Sequence, residues 1–249
     1  MHEKRVALVT GGNKGIGLQI ARDLEKNGFF VLIGSRRIEA GEAAAEKIGA
    51  DTKAIQLDVT DQASITAAAK HIRDVYGRLD VLVNNAGISH AGAQSRTPEQ
   101  MMGETFLSVV DMDELRAVYE TNLFGVVAVT QAMLPMLREA PAGRIVNVSS
   151  MTGSLTMNAD PGHPMRRYAG TYSSSKTALN AVTQAFAIEL ENSSIKVNAV
   201  CPGFTATDNN KFLGPGTVED AAREPVRLVM LGPDGPSGCF SNFDGLIPW

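Results

Sequence analysis

The chain has 249 residues, 44% of them apolar, and a formal net charge of −4. That length supports one sizeable core in a single domain, and the mild acidity gives no basic field to attract nucleic acid or an anionic membrane. There is no apolar h-region of a signal peptide and no membrane-length apolar run, and Cys201 and Cys239 stand at no metal-ligand spacing, so a cytoplasmic protein without metal or disulfide scaffold is expected.

In chain order, a β-branched run at 5–10 leads into Thr10-Gly11-Gly12-Asn13-Lys14-Gly15-Ile16-Gly17 and a helical pattern over 15–27. Strand patterns follow at 29–34, 53–58, 79–84, 144–149, 196–200 and, more weakly, 238–243. Helical patterns fall between them at 40–48, 61–76, 112–139, 171–192 and 218–231. Most strands are apolar on both faces, as in a sheet covered on each side. Strand and helix alternate along the whole chain, so the expected fold is α/β: a doubly wound, Rossmann-type parallel sheet with helices on both faces. Two stretches break the rhythm, at 88–111 and 151–170. Each follows a strand, at the sheet edge where ligands bind, and is expected to shape the site.

The glycine-rich turn at the first strand-to-helix junction suits a pyrophosphate. Glycines let the backbone approach, and the helix N-terminus supplies free N–H groups and a favourable dipole. Gly11, Asn13, Lys14, Gly15, Ile16 and Gly17 are therefore candidate cofactor residues, although the spacing is TGxxxGIG and not GxGxxG. A carboxylate at the end of the second strand would favour NAD, and a cation there NADP. The segment reads Ile33-Gly34-Ser35-Arg36-Arg37, with no acid. Arg36 can pair with a 2′-phosphate through its planar fork, and Lys14 adds charge nearby, so NADP(H) is expected over NAD(H).

At the other end of the site, Tyr172-Ser-Ser-Ser-Lys176 opens a helix. The i, i+4 spacing places hydroxyl and ammonium on one face. A free phenol titrates near ~10, and a neighbouring cation lowers it toward useful acid–base chemistry. A lone YxxxK pair is common by chance and better explained by a Tyr packed on a helix; its meaning comes from company. Asn84-Asn85-Ala86-Gly87 closes the fourth strand, Ser149 and Ser150 the fifth, and Pro202-Gly203 the sixth, with Asn122 in mid-helix.

In this order, TGxxxGIG, NNAG, the mid-helix Asn, the strand-end Ser, YxxxK and PG resemble the short-chain dehydrogenase/reductase family, in its single-domain branch of about 250 residues. The match covers essentially the whole chain. The TGGNKGIG loop, Arg36 and the ending FDGLIPW resemble carbonyl reductase-like members. The resemblance implies that Tyr172 is the catalytic acid/base and that Lys176 lowers its pKa and binds the nicotinamide ribose. It implies that Ser150, more than Ser149, holds the substrate oxygen, and that the Asn122 backbone holds a relay water. By the same resemblance Asp58 and Val59 contact adenine, and Asn85, Ala86 and Gly87 the adenosine ribose. Pro202, Gly203, Thr205 and Thr207 fall at the nicotinamide end, Thr207 fitting the pattern better.

The implied function is NADP(H)-dependent interconversion of a carbonyl and an alcohol. A cofactor-binding regulator or scaffold without turnover is the competing class, and the intact set Asn122, Ser150, Tyr172 and Lys176 weighs against it. A methyltransferase or epimerase is a third reading, against which the length leaves no separate substrate domain. The Ser150-to-Tyr172 interval is longer than the family commonly shows, and the stretch before 218 is short, so the two interruptions are expected to wall an open pocket. Met151, Leu155, Met157, Phe204 and Phe212 suggest a lipophilic substrate, although ordinary packing explains each equally well. His90 and His163 are weaker candidates, and Tyr168 lacks a Lys at i+4. The long helices at 112–139 and 171–192 suggest a homodimer or homotetramer.

Overall fold

The computed structural model describes residues 3–91, 103–208 and 212–249. Its strands are β1 (Val6–Thr10), β2 (Phe30–Ser35), β3 (Thr52–Gln56), β4 (Val81–Asn84), β5 (Arg144–Val148), β6 (Lys196–Val200), β7 (Phe240–Asn242) and β8 (Gly245–Leu246). They form one sheet in the order β3-β2-β1-β4-β5-β6-β7-β8. The pairings are parallel except that of β7 with β8. The described helices are α1 (Gly15–Lys26), α2 (Ile38–Glu46), α3 (Gln62–Tyr76), α4 (Met112–Tyr119), α5 (Gly125–Glu139), α6 (Leu155–Ala159), α7 (Thr171–Glu189) and α8 (Val218–Val229). None is long and apolar enough to cross a membrane.

The period-2 alternation of a strand explains both layers. On β1, Val6 and Leu8 enter a cluster with Ile65 and Ile72 of α3, Met133 and Leu137 of α5, and Phe186 of α7. Ala7 and Val9 point the other way, to Ile20 and Leu24 of α1 and Leu228 of α8. All five residues of β1 are buried, as the unbroken apolar run requires. The chain leaves β3 at one edge and resumes at β4 beside β1. Strand order therefore reverses between β1 and β4, and such a switch opens a crevice at the carboxyl ends.

Three features differ from the sequence pattern. The expected helix over 112–139 is divided by a π turn at Glu120–Phe124. Within it Asn122 is fully buried, its side chain taking both backbone groups of Ile88, a tertiary demand that periodicity does not carry. The antiparallel β8 arises from a tight turn in which Asn242 Oδ1 accepts from the N–H groups of Asp244 and Gly245. The stretch 151–170 has no period because it is three short segments, each started by its own cap: Ser150 before Met151–Gly153, Ser154 before α6, and His163 before Pro164–Tyr168. Of the other interruption, 92–102 lie outside the described residues.

Candidate active site

A cleft of about 740 Å³ follows the carboxyl ends of the central strands. Gly11, Asn13, Lys14, Gly15, Ile16 and Gly17 border it, with Arg36, Asp58 and Val59 beyond β2 and β3. Asn85, Ala86 and Gly87 border it after β4, Tyr172 and Lys176 from α7, and Pro202 and Thr207 after β6. Thus most of the residues singled out from the sequence converge on one cleft. Four do not reach its lining: Asn122, Ser150, Gly203 and Thr205. Thr205 is buried, and its hydroxyl donates to the carbonyls of Pro202 and Gly203.

The phosphate end is built from close backbone approach. A Cβ at Gly17 would stand 2.3 Å from Asn85 Nδ2 and 2.7 Å from Gly11 O, so no larger residue fits there. Gly11 itself has φ +62, in the left-handed region that glycine adopts without strain. Asn85 stitches β4 to β1, its Nδ2 donating to the carbonyls of Thr10 and Gly11, while Thr10 Oγ1 accepts from the N–H groups of Asn85 and Ala86. The first turn of α1 holds no acid, and Lys14 as N-cap makes no side-chain capping bond. That leaves the first-turn N–H groups without a side-chain acceptor and suits an anion.

Charge at this end differs in detail from the expectation. Lys14 Nζ lies 2.7 Å from Asp208 Oδ2, both side chains exposed. Asp208 was not singled out from the sequence, since only the folding back of the loop after β6 brings it here. Thr207 from the same loop lies against Gly15. Arg22, about two turns into α1, also borders the cleft with Arg36, and its i+7 position from Gly15 on the same helix face was the available signal. The Asp58 carboxylate is occupied by its own turn, accepting from the N–H and hydroxyl of Thr60.

At the reacting end, four elements bring the polar groups together. Asn122 Nδ2 donates to Ile88 O and, at 3.0 Å, to Ser175 Oγ on α7. A Cβ on Gly87 would lie 3.2 Å from Asn122 Oδ1 and 3.4 Å from Lys176 Nζ, so these groups share one corner. Lys176 Nζ donates to Val148 O at 2.9 Å and sits 5.6 Å from the Tyr172 ring centroid. Ser149 is buried, its hydroxyl committed to Asn180 Oδ1 at 2.6 Å. The Ser150 hydroxyl instead acts on Tyr172, opposing the rise of its pKa, which separates the roles of the two serines.

Burial pushes Tyr172 up to about 12; the Cys201 thiol acts in the same direction and the Ser150 hydrogen bond against it. Burial also lowers Lys176 to about 8, with Cys201 opposing. The lowering of Tyr172 expected from Lys176 therefore does not prevail over desolvation. At neutral pH the phenol keeps its proton and the ammonium keeps most of its charge, a pair in the state to give a proton away.

The apolar candidates divide. Met151 and Met157 pack with Phe240, Ile247 and Trp249 and serve the core. Leu155, Phe204 and Phe212 are exposed, and Phe212 borders the cleft. Tyr168 rests against Phe204, with the Arg167 guanidinium over its ring. His163 caps its segment, whereas His90 borders the cleft with a buried Nδ1 that has no partner among the described residues. Thr105, from the first interruption, accepts hydrogen bonds from the N–H and hydroxyl of Thr171, beside Tyr172. No cluster of metal-ligating side chains occurs among the described residues.

Comparison with known proteins agrees with this geometry. The short chain dehydrogenase family matches residues 5–217. The chain is 32% identical to (-)-isopiperitenone reductase of Mentha piperita, covering 95% of this chain and 96% of that protein. It is 31% identical to salutaridine reductase of Papaver somniferum, covering 96% and 94%. The solved structure of salutaridine reductase from Papaver somniferum superposes with a TM-score of 0.80 at 29% identity, covering 96% of this chain and all of that one. The 3-ketoacyl-(acyl-carrier-protein) reductase of Brucella melitensis, complexed with NADH, gives 0.78 at 26% identity, covering 96% and 95%. The doubly wound sheet, the glycine turn at its switch point and these matches together make the chain a member of the short-chain dehydrogenase family.

Proposed function

We propose that this protein is an NADP(H)-dependent oxidoreductase, of carbonyl reductase or alcohol dehydrogenase type, interconverting a ketone or aldehyde and an alcohol. The observation that carries the reading is the Lys176 ammonium 5.6 Å from the Tyr172 ring centroid, with Ser150 near enough to act on the same phenol. The cleft fits a dinucleotide: its glycine cradle excludes a Cβ, and the first turn of α1 offers N–H groups to a pyrophosphate. Arg36 on the cleft, with no acid at the end of β2, supports NADP(H) over NAD(H). Asp58 and Val59 would border the adenine, Asn85, Ala86 and Gly87 the adenosine ribose, and Pro202 and Thr207 the nicotinamide end. The bound nicotinamide supplies the hydride in reduction and accepts it in oxidation.

In reduction Tyr172 gives its proton to the substrate oxygen as negative charge develops there, and Ser150 donates a hydrogen bond to the same oxygen. Lys176 binds the nicotinamide ribose hydroxyls and, with a water held at the Asn122 backbone, restores the proton. The substrate is a small, lipophilic carbonyl compound or alcohol; relatives named for reducing isopiperitenone and salutaridine, and exposed Leu155, Phe204 and Phe212, support this. Residues 1–249 act as one dinucleotide-binding and catalytic unit, cytoplasmic and assembled as a homodimer or homotetramer.

Tyr172→Phe tests the assignment. NADPH consumption with a panel of ketones and aldehydes should fall by about 10²–10⁴-fold, the range of a lost general acid, while fluorescence-detected NADPH binding persists. Undiminished turnover would overturn it.

A further inference from the structure

The oxygen of Ser150 takes two hydrogen bonds from one neighbour: Thr152 N–H reaches Ser150 Oγ at 3.3 Å and Thr152 Oγ1 reaches it at 3.0 Å. Tyr172 lies near enough for Ser150 to act on its phenol. A hydroxyl offers two lone pairs and one proton. If Thr152 donates through both its N–H and its O–H, both lone pairs are filled. The one proton left on Ser150 is then free for the site beside Tyr172, where the substrate oxygen must arrive.

We propose that Thr152 is a positioning residue of this active site, holding the Ser150 side chain in place and fixing its hydroxyl as a hydrogen-bond donor. The proposal rests on the reading of Ser150 and Tyr172 given above. Its chemical point is the sense of one bond. A developing alkoxide needs donors, and a Ser150 free to turn its proton toward Thr152 or elsewhere would present a lone pair to that charge.

The surrounding turn explains why Thr152 can do this. Its carbonyl accepts from Asn158 Nδ2 at 2.8 Å, and the N–H of the preceding Met151 is held by Cys201 Sγ at 3.2 Å. Gly153 N–H returns to Ser150 O at 2.9 Å. The turn also presses directly on α7, since a Cβ at Gly153 would fall 2.7 Å from the Lys176 carbonyl carbon. Thr152 is buried within this turn and has little freedom to point its hydroxyl elsewhere.

Thr152→Val keeps the shape and removes the donor, and Thr152→Ser keeps the donor and removes a methyl group. Assayed with NADPH and a carbonyl substrate, the Val variant should lose about 3- to 10-fold in kcat, the scale of one hydrogen bond. Its KM for NADPH should be unchanged, and the Ser variant should recover most of the loss. Undiminished kcat in the Val variant, or a Ser variant as impaired as the Val variant, overturns the proposal. If the wild-type protein turns over no carbonyl or alcohol, the functional reading fails by itself and crystal structures of the wild type and Thr152→Val decide the positioning. A changed Ser150 rotamer in the variant alone supports it, and an unchanged Ser150 rotamer overturns it.

Discussion

The two ends of β5 each hold a buried cation, and the two are treated in opposite ways. At the amino end, the Arg144 guanidinium donates to the carbonyls of Gly143, Ser194, Leu231 and Gly232. At the carboxyl end, Lys176 donates to a single carbonyl, that of Val148. Both side chains are nearly inaccessible. Burial lowers the pKa of each, but Arg144 starts from the high guanidinium value and stays charged, whereas Lys176 comes down to about 8, within reach of proton exchange. A cation surrounded by acceptors is structural. One left short of them is held ready for a further partner, and hydroxyl groups of a ribose are the kind of partner it lacks.

The comparison can be broken at either end. Arg144→Met should cost about 3 kcal/mol in urea unfolding, because it strands several buried carbonyls, and should leave the KM for NADPH untouched. A loss under 1 kcal/mol would mean that those carbonyls find other donors. Lys176→Met should abolish detectable turnover and respond differently to pH. The wild-type Lys176 holds its proton less tightly when folded (about 8) than at its ordinary 10.5. Its burial penalty is therefore complete below pH 8 and relaxes as pH rises toward 10.5. Wild-type stability relative to Lys176→Met should accordingly grow by about 2 kcal/mol between pH 7 and pH 9.5. A difference independent of pH would show that the ammonium is not desolvated. A third, smaller test uses a cation in contact with water. Arg36→Leu should raise the KM for NADPH about tenfold, the scale of a lost charge-assisted hydrogen bond, with the KM for NADH unchanged and unfolding barely altered. Equal effects on both cofactors would remove the basis for an NADP(H) preference.

The strands were legible because their burial on both faces is written into the composition of β1, β2 and β4, and the switch point then follows from chain order. The cleft was legible through residues at strand ends. What could not be read was anything set by loops returning from far along the chain. Asp208 pairs with Lys14 across 194 positions, and no local pattern encodes that. Thr205 and Thr207 differ by two positions, yet the first turns inward to Pro202 and Gly203 and the second faces the glycine turn. The upward displacement of Tyr172 also lay beyond sequence, because spacing shows which charges are near but not how little water is.

The π turn at Glu120–Phe124 has a consequence for how this region can change. It holds one residue more than an uninterrupted spiral would use over the same span. Deleting that residue would knit α4 and α5 into a single regular rod, an improvement by every local measure. It would also remove the local widening that turns Asn122 inward and carry Asn122 away from Ile88 and Ser175. Regularity and chemistry pull against each other here, so length variation that surface loops absorb freely is closed to this segment.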